Sequence, residues 1–366
     1  MLDELTALLT ETVGDAAEGW DLAGEIPVEL LRGLGAKGVL CAEVRQEFGG
    51  LGLSGVDNGR LAAHAGTLCS SLRSVMTSQG MAAWTIQRFG TAAQRREHLS
   101  QLTGGALAAV AFSEPDAGSD LSAMRTEIRR DGDEVVINGV KTWITAAAYA
   151  DLLVVFGRYE QGAAVAVVPA TAPGVRVRKV PSPLGCRAAG HSTVELDGVR
   201  LPADRVLAVA GQPITMLVTI ALTYGRLSVA WGCVGILRAC LATAASHARN
   251  REQFGKPLAG HQLVARHLAE LFAAERIATQ ACEQASRSWD ERSPAQVTDA
   301  ILAKYVASTH AAQGAASAVQ VLASAGSHDG HVVARAYRDA KLMTLIEGST
   351  EICQLVLAEH ALAVAA

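Results

Sequence analysis

The hydrophobic period of this chain changes twice, and that double change limits the folds open to it more than any other feature. From residue 1 to about 105, apolar residues recur at helical spacing, as in "VELLRGLGAKGVL" and "MAAWTIQRFG". Gly-rich breaks such as "FGGLGLSG" separate these helices. At about residue 106 the pattern becomes that of strands. "GDEVVINGVKTWIT" reads as a β-hairpin: a β-branched run, an Asn138-Gly139 turn, then an alternating strand. "DLLVVFGR", "AAVAVVPA", "GVRVRKV" and "STVELDGVRLP" continue it, and beyond "LPADRVL" long helical periodicities return. The expected class is α+β: a helical domain over 1–105, a β-domain over 106–205 and a helical domain over 206–366. A length of 366 residues suits two or three domains.

Composition removes several functions. Half the residues are hydrophobic (50%) and 19% are charged, so a large core is expected and disorder is not. With a net charge of −4 and no basic stripe, neither nucleic acid nor an anionic membrane surface is an expected partner. Seven cysteines are scattered without a C-x-x-C pair, which supports neither a disulfide framework nor a metal site. The N-terminus, "MLDELTALL", is acidic from its third residue, wrong for a signal or transit peptide. No uncharged apolar run approaches the roughly 18 residues needed to span a bilayer. A cytoplasmic protein is expected.

Four constellations are able to carry chemistry. In "AFSEPDAGSDLSAMRT", small residues at Ala117, Gly118 and Ser119 let a ligand approach the backbone, where N–H groups and hydroxyls suit a phosphate or a heteroaromatic ring. A connecting loop with Ser and Asp capping its turns is the plain alternative. In "KTWIT", Trp143 and Thr145 lie two apart on a strand, an aromatic face beside a hydroxyl, suited to a planar ring; a Trp packed into the core is the alternative. In "RNREQFGKPLAGHQ", Arg251, Phe254 and Gln262 surround a Gly-Lys-Pro break, and the planar fork of an arginine suits a pyrophosphate as readily as a solvated helix end. In "RAYRDAKLMTLIEGSTEIC", Gly348 breaks a helix and Ser349 N-caps the next, whose stripe of Ile352, Leu355 and Val356 is expected to be buried. Glu347 then projects from the connection, as a candidate base or as a surface carboxylate.

Taken in order, "SEPDAGSD", "NGVKTWIT", "FGKPLAGHQ" and "RDAKLMTLIEGSTEI" resemble the acyl-CoA dehydrogenase family, with weaker matches in "FGTAAQRREHL", "LGCRAAGHSTVELDGVRLP" and "VQVLASAG". The resemblance covers nearly the whole chain. It implies an N-terminal helical domain, a middle β-barrel-like domain and a C-terminal four-helix bundle, binding FAD non-covalently in a homodimer or homotetramer. By motif, Phe112, Ser113, Gly118 and Ser119 would line the flavin, Trp143 would pack on the isoalloxazine and Thr145 would bond near its N5. Arg251, Phe254, Gln262 and Gln320 would meet the FAD of a neighbouring subunit, with Ser349 and Glu351 near its pyrophosphate and adenosine half. Glu347 falls on the catalytic base, which takes the α-proton of an acyl thioester while flavin N5 accepts hydride from Cβ. Electrons would pass to an acceptor flavoprotein or to oxygen. Some members place the base before an arginine on another helix, but here Gly225 precedes Arg226, so Glu347 is the expected base.

Departures from the family pattern bear on substrate. Ala323 and Ser324 stand where glycines are frequent, Ala146 follows "WIT", and Thr223 replaces a common Asp near Arg226 and the expected substrate channel. The chain is similar to relatives encoded with polyketide pathways. Some of these act on acyl groups tethered to acyl carrier protein and make hydroxymalonyl- or methoxymalonyl-type extender units, where hydride leaves an alcohol carbon. A CoA thioester of fatty-acid or amino-acid catabolism is the alternative. A flavin oxidase or monooxygenase on the same fold, and a non-catalytic assembly partner, are the others.

Overall fold

The computed structural model describes residues 1–207 and 210–364. The first part is helical: α1 (Leu2–Val13), α2 (Ala16–Ala23), α3 (Val28–Ala36), α4 (Gly55–Leu68), α5 (Ser70–Phe89) and α6 (Ala92–Thr103). Local chemistry sets several of the helix ends. Ser54 accepts from Asp57 N to cap α4, and Thr91 and Gln94 form a reciprocal capping box on α6.

The middle part is one sheet of β1 (Ala108–Ala111), β2 (Glu127–Asp131), β3 (Glu134–Ile144), β4 (Leu152–Tyr159), β5 (Gly162–Pro169), β6 (Val175–Lys179) and β7 (Ser192–Pro202). Its strand order is β1-β4-β2-β3-β7-β6, with β5 on β4. β4 and β5 are apolar on both faces because successive side chains enter different cores. Val154, Phe156, Val165 and Val167 join the cluster shared with the C-terminal helices, while Leu153, Val155, Ala164 and Ala166 join that of the N-terminal helices.

The Asn138-Gly139 hairpin expected from sequence does not form. β3 runs straight through both residues, and the turn to β2 is made at Gly132, at φ 64°. Gly139 instead permits close packing, since a Cβ there would meet Thr126 Oγ1 at 2.3 Å. Asn138 Oδ1 accepts from Gly198 N, spanning a register shift between β3 and β7.

The last part comprises α7 (Ile214–Asn250), a small hairpin of β8 (Glu252–Gln253) and β9 (Lys256–Pro257), then α8 (Gln262–Asp290), α9 (Gln296–Leu322), α10 (Val332–Met343) and α11 (Thr350–Val364). α7 is the central rod. It is long and apolar enough to cross a membrane, yet 78% of its most apolar window is buried by the rest of the chain. α4, α5, α8, α9 and α10 all pack on it. Glycines bring α4 closest: Gly66 faces Gly232, and Gly235 faces the Ala63 carbonyl. On α11 the expected buried stripe is not there. Leu355 is 62% exposed and only Cys353 is buried, because α11 meets the bundle mainly along α9.

Candidate active site

Glu347 lies in the six-residue link between α10 and α11 that carries the sequence through Gly348. Both residues are left-handed, Glu347 at φ 55° and Gly348 at φ 91°, and Ser349 caps α11 by accepting from Ile352 N at 3.4 Å. A non-glycine residue held in that region is strained, and the surroundings must hold it there. Two buried cations do so. Arg226 Nε donates to the Glu347 carbonyl at 3.1 Å, and Lys304 Nζ donates to the Gly348 carbonyl at 2.5 Å.

The carboxylate points inward. Its Oε2 is out of contact with solvent and has no hydrogen-bond partner among the described residues, although the residue as a whole is only half-buried. Gly225 makes the room: a Cβ there would stand 2.4 Å from Oε2 and 2.5 Å from Met81 Cε. Desolvation raises the Glu347 carboxyl from 4.5 to about 7, against the opposing pull of Arg226, Lys304 and Arg73. Burial therefore wins here with the protein's own atoms around it.

α5 is the wall common to Glu347 and the middle domain. Met81 touches the Glu347 region, and one turn earlier Ser78 Oγ donates to the Thr145 carbonyl at 3.0 Å. Thr145 lies past the end of β3, and Trp143 takes φ 57°, so the expected strand alternation of these two residues is broken. Trp143 is nevertheless 54% exposed, an unusual state for a tryptophan on a strand. Thr145 Oγ1 pairs with His191 Nδ1 at 3.2 Å, and the His191 ring packs edge-on to Trp143. Burial pushes His191 down to about 4, leaving it neutral at pH 7.

The loop after β1 is pinned by residues that sequence reasoning passed over. Lys141 is fully buried and donates to Glu114 Oε1 at 2.8 Å and to the Phe112 carbonyl at 3.0 Å. Glu114 also accepts from Arg125 N and Thr126 N. Burial alone would raise the Glu114 carboxyl, but the hydrogen bonds from Lys141 and Thr126 hold it below its usual range. The Phe112 ring turns into the core against Phe156, so only its backbone faces the loop. Gly118 looks into open space, where a Cβ would meet nothing within 4 Å; Ser119 beside it is exposed and Ser113 is half-buried.

The other sequence candidates divide between core and surface. Thr223 is buried, and its hydroxyl donates to the Thr219 carbonyl within α7. Arg251, Gln262, Gln320 and Glu351 are exposed, and Phe254 at the β8–β9 hairpin is 93% exposed at φ 51°. A hydrogen bond to Ser349 holds the Glu351 carboxyl below its ordinary value. Near the C-terminal end of α7 an open cavity of about 510 Å³ is lined by Ser246, His247, Leu322 and His331, and Glu347 is not among its lining residues. Among the described residues no cluster of three His, Cys, Asp or Glu side chains suits a metal ion.

Family profiles described as the N-terminal, middle and C-terminal domains of acyl-CoA dehydrogenase match residues 1–106, 109–199 and 215–362. The chain is 32% identical over 356 residues to the probable acyl-CoA dehydrogenase YngJ of Bacillus subtilis, covering 94% of this chain and 93% of that one. It is 30% identical to the human mitochondrial short-chain specific acyl-CoA dehydrogenase, covering 99% and 91%. A solved structure of FkbI, for biosynthesis of the methoxymalonyl extender unit of the Fk520 polyketide immunosuppressant, superposes with a TM-score of 0.94 at 63% identity, covering 98% of this chain and 99% of that one. The butyryl-CoA dehydrogenase of Megasphaera elsdenii superposes with a TM-score of 0.94 at 26% identity, covering 99% and 98%.

Proposed function

This chain belongs to the acyl-CoA dehydrogenase family, and from that premise we propose that it oxidises a short, oxygenated acyl thioester with Glu347 as the base. It is an FAD-dependent dehydrogenase, and its residues fit that group. Trp143 offers an exposed aromatic face, Gly118 opens the loop beside it, and Thr145 stands at the adjoining turn. Ser113, Ser119 and the backbone of Phe112 would hold the flavin end. Arg251, Phe254, Gln262 and Gln320, with Ser349 and Glu351, would meet the rest of the group from a neighbouring subunit. When bound, FAD supplies the hydride acceptor.

The observation that carries the reading is the unpartnered, inward-facing Glu347 Oε2. Hydride loss must be matched by proton loss, from the carbon next to the thioester when a saturated acyl chain is oxidised or from the hydroxyl when hydride leaves an alcohol carbon. Either needs a base matched to the operating pH, and a carboxyl at about 7 is so matched. Arg226 and Lys304 are positioning residues: they hold the carbonyls of Glu347 and Gly348, and through them the link that aims the carboxylate. The Glu347 N–H would donate to the thioester carbonyl as charge develops there.

Similarity to FkbI supports an acyl group tethered to acyl carrier protein, on the route to a hydroxymalonyl- or methoxymalonyl-type unit. Exposed Phe254, Leu263, Leu355 and Leu362 support assembly into a homodimer or homotetramer. The test is anaerobic flavin bleaching with butyryl-CoA and with a hydroxyacyl group on acyl carrier protein. Faster bleaching by the carrier-bound substrate is expected. Equal or faster bleaching by butyryl-CoA refutes the substrate assignment, and absence of bleaching by any thioester refutes the dehydrogenase reading.

A further inference from the structure

His191 is only 9% exposed, and it touches both of the residues that would face the flavin ring. Its Nδ1 pairs with Thr145 Oγ1 at 3.2 Å, and its ring meets the Trp143 ring edge-on, with centroids 6.0 Å apart. The other ring nitrogen, Nε2, is buried and has no partner among the described residues. Backbone contacts deliver the ring to this place. The His191 carbonyl accepts from Val180 N at 2.8 Å, while Ala148 N donates to the Gly190 carbonyl and Ala146 N to the Ala189 carbonyl. Gly190, at φ 67°, permits the close approach, since a Cβ there would stand 2.6 Å from the Tyr149 ring.

Burial, with the charge of Arg73 nearby, keeps this imidazole neutral at pH 7. It then carries one proton, on Nδ1 or on Nε2, and the choice fixes what Thr145 is able to do. With the proton on Nε2, Nδ1 takes the Thr145 hydroxyl proton, and a buried N–H is left without an acceptor. With the proton on Nδ1, the ring donates to Thr145 Oγ1, and only a lone pair is left bare. Orphaned N–H groups are the rarer of the two in folded proteins, so the proton belongs on Nδ1. The Thr145 carbonyl is meanwhile held from α5 by Ser78 Oγ at 3.0 Å. A threonine fixed at both its carbonyl and its oxygen lone pair has one free group, the hydroxyl proton, and no described residue accepts it.

We propose that His191 is a positioning residue for the cofactor: by donating from Nδ1 to Thr145 Oγ1, it commits the Thr145 hydroxyl proton to flavin N5. This rests on the placement of Thr145 near N5 that the family resemblance implies. Oxidised N5 is an acceptor, whereas N5 of the reduced ring carries hydrogen and donates. A hydroxyl held as a donor therefore favours the oxidised ring and lowers its midpoint potential. A hydroxyl free to turn would serve the reduced ring equally well, as an acceptor.

The test is the midpoint potential of bound FAD, measured anaerobically in wild type, His191→Leu, His191→Asn, Thr145→Val and the double variant His191→Leu with Thr145→Val. Losing one hydrogen bond from the oxidised side predicts about a tenfold change in the ratio of reduced to oxidised flavin at fixed potential. For a two-electron couple that is an upward shift of about 30 mV in His191→Leu. His191→Asn, whose amide N–H replaces the one on Nδ1, should keep most of the wild-type value. In the Thr145→Val background His191→Leu should add nothing, because its route to the flavin is gone. An unchanged potential in His191→Leu overturns the proposal. So does an equal shift with and without the Thr145 hydroxyl, which would make the effect of the histidine merely structural. Thr145→Val alone reports whether that hydroxyl reaches the flavin. A shift there with none in His191→Leu removes this inference and leaves the placement of Thr145 standing, whereas no shift in either removes both. The tautomer is read directly by nitrogen NMR of histidine-labelled, FAD-loaded wild type, where a neutral ring protonated on Nδ1 is expected and should vanish in His191→Asn. A spectrum in which every neutral histidine carries its proton on Nε2 overturns the proposal even if no His191 variant folds.

Discussion

Replacing Glu347 by glutamine should make the protein more stable and less active, and the size of the first effect follows from the site. An ordinary carboxyl ionises at 4.5, whereas this one holds its proton to about 7 because burial disfavours the anion. The difference corresponds to about 3 kcal/mol of resistance to ionisation in the folded state. Below pH 4.5 the carboxyl is protonated both folded and unfolded, and the stability linked to it is fully present. As pH rises towards 7 the unfolded chain releases the proton first, and that stability is lost. Glutamine keeps the shape and cannot ionise. The stability advantage of Glu347→Gln over wild type should therefore grow from its acid-limit value by up to about 3 kcal/mol between pH 4.5 and 7.5, and level off above. Thermal unfolding of the FAD-loaded proteins at half-unit pH steps measures it, with anaerobic bleaching by substrate as the parallel readout. A gap between the two unfolding temperatures that stays constant with pH would refute the claim that burial governs this carboxyl. A variant that keeps its yellow colour and bleaches at the wild-type rate would remove Glu347 from the chemistry.

Other perturbations test neighbouring parts of the site. Gly225→Ala places a methyl where Glu347 Oε2 and Met81 Cε already stand, so the rate of flavin reduction should fall about a hundredfold with FAD content unchanged; an unaltered rate would mean that the base has slack. Lys141→Met leaves Glu114 buried without its cation, and should cost about 3–5 kcal/mol in denaturant titrations together with most of the bound FAD. Trp143→Ala removes an exposed ring, so apoprotein stability should change by less than about 0.5 kcal/mol while FAD dissociates more readily in dialysis; a large loss of apoprotein stability would make the ring structural.

The order of helices, strands and helices was legible because period is a local property. Glu347 was legible as a projecting residue for a similar reason: a helix break at Gly348 followed by a capping serine is chemistry among near neighbours. Asn138-Gly139 misled because that pair is favoured both in tight turns and wherever another backbone approaches, and here the approach of Thr126 decided. The alternation of Trp143 and Thr145 failed once a left-handed residue entered the strand end. Least legible were Lys141, Lys304, Arg73 and His191. Charged or titratable side chains in a sequence read as solvated, and only packing between distant segments reveals that these are enclosed.

The length of α7 has a mechanical consequence. Arg226, which holds the Glu347 carbonyl, and Arg251, the residue that caps the far end, are set by the same continuous rod, about 37 Å apart at 1.5 Å per residue. A tilt of about 5° pivoting at one end would swing the other by about 3 Å, several times the misplacement of about 1 Å that already impairs a reacting geometry. The five helices clasping the rod thus act as a bearing, and a substitution anywhere along that bearing reaches Glu347 by leverage.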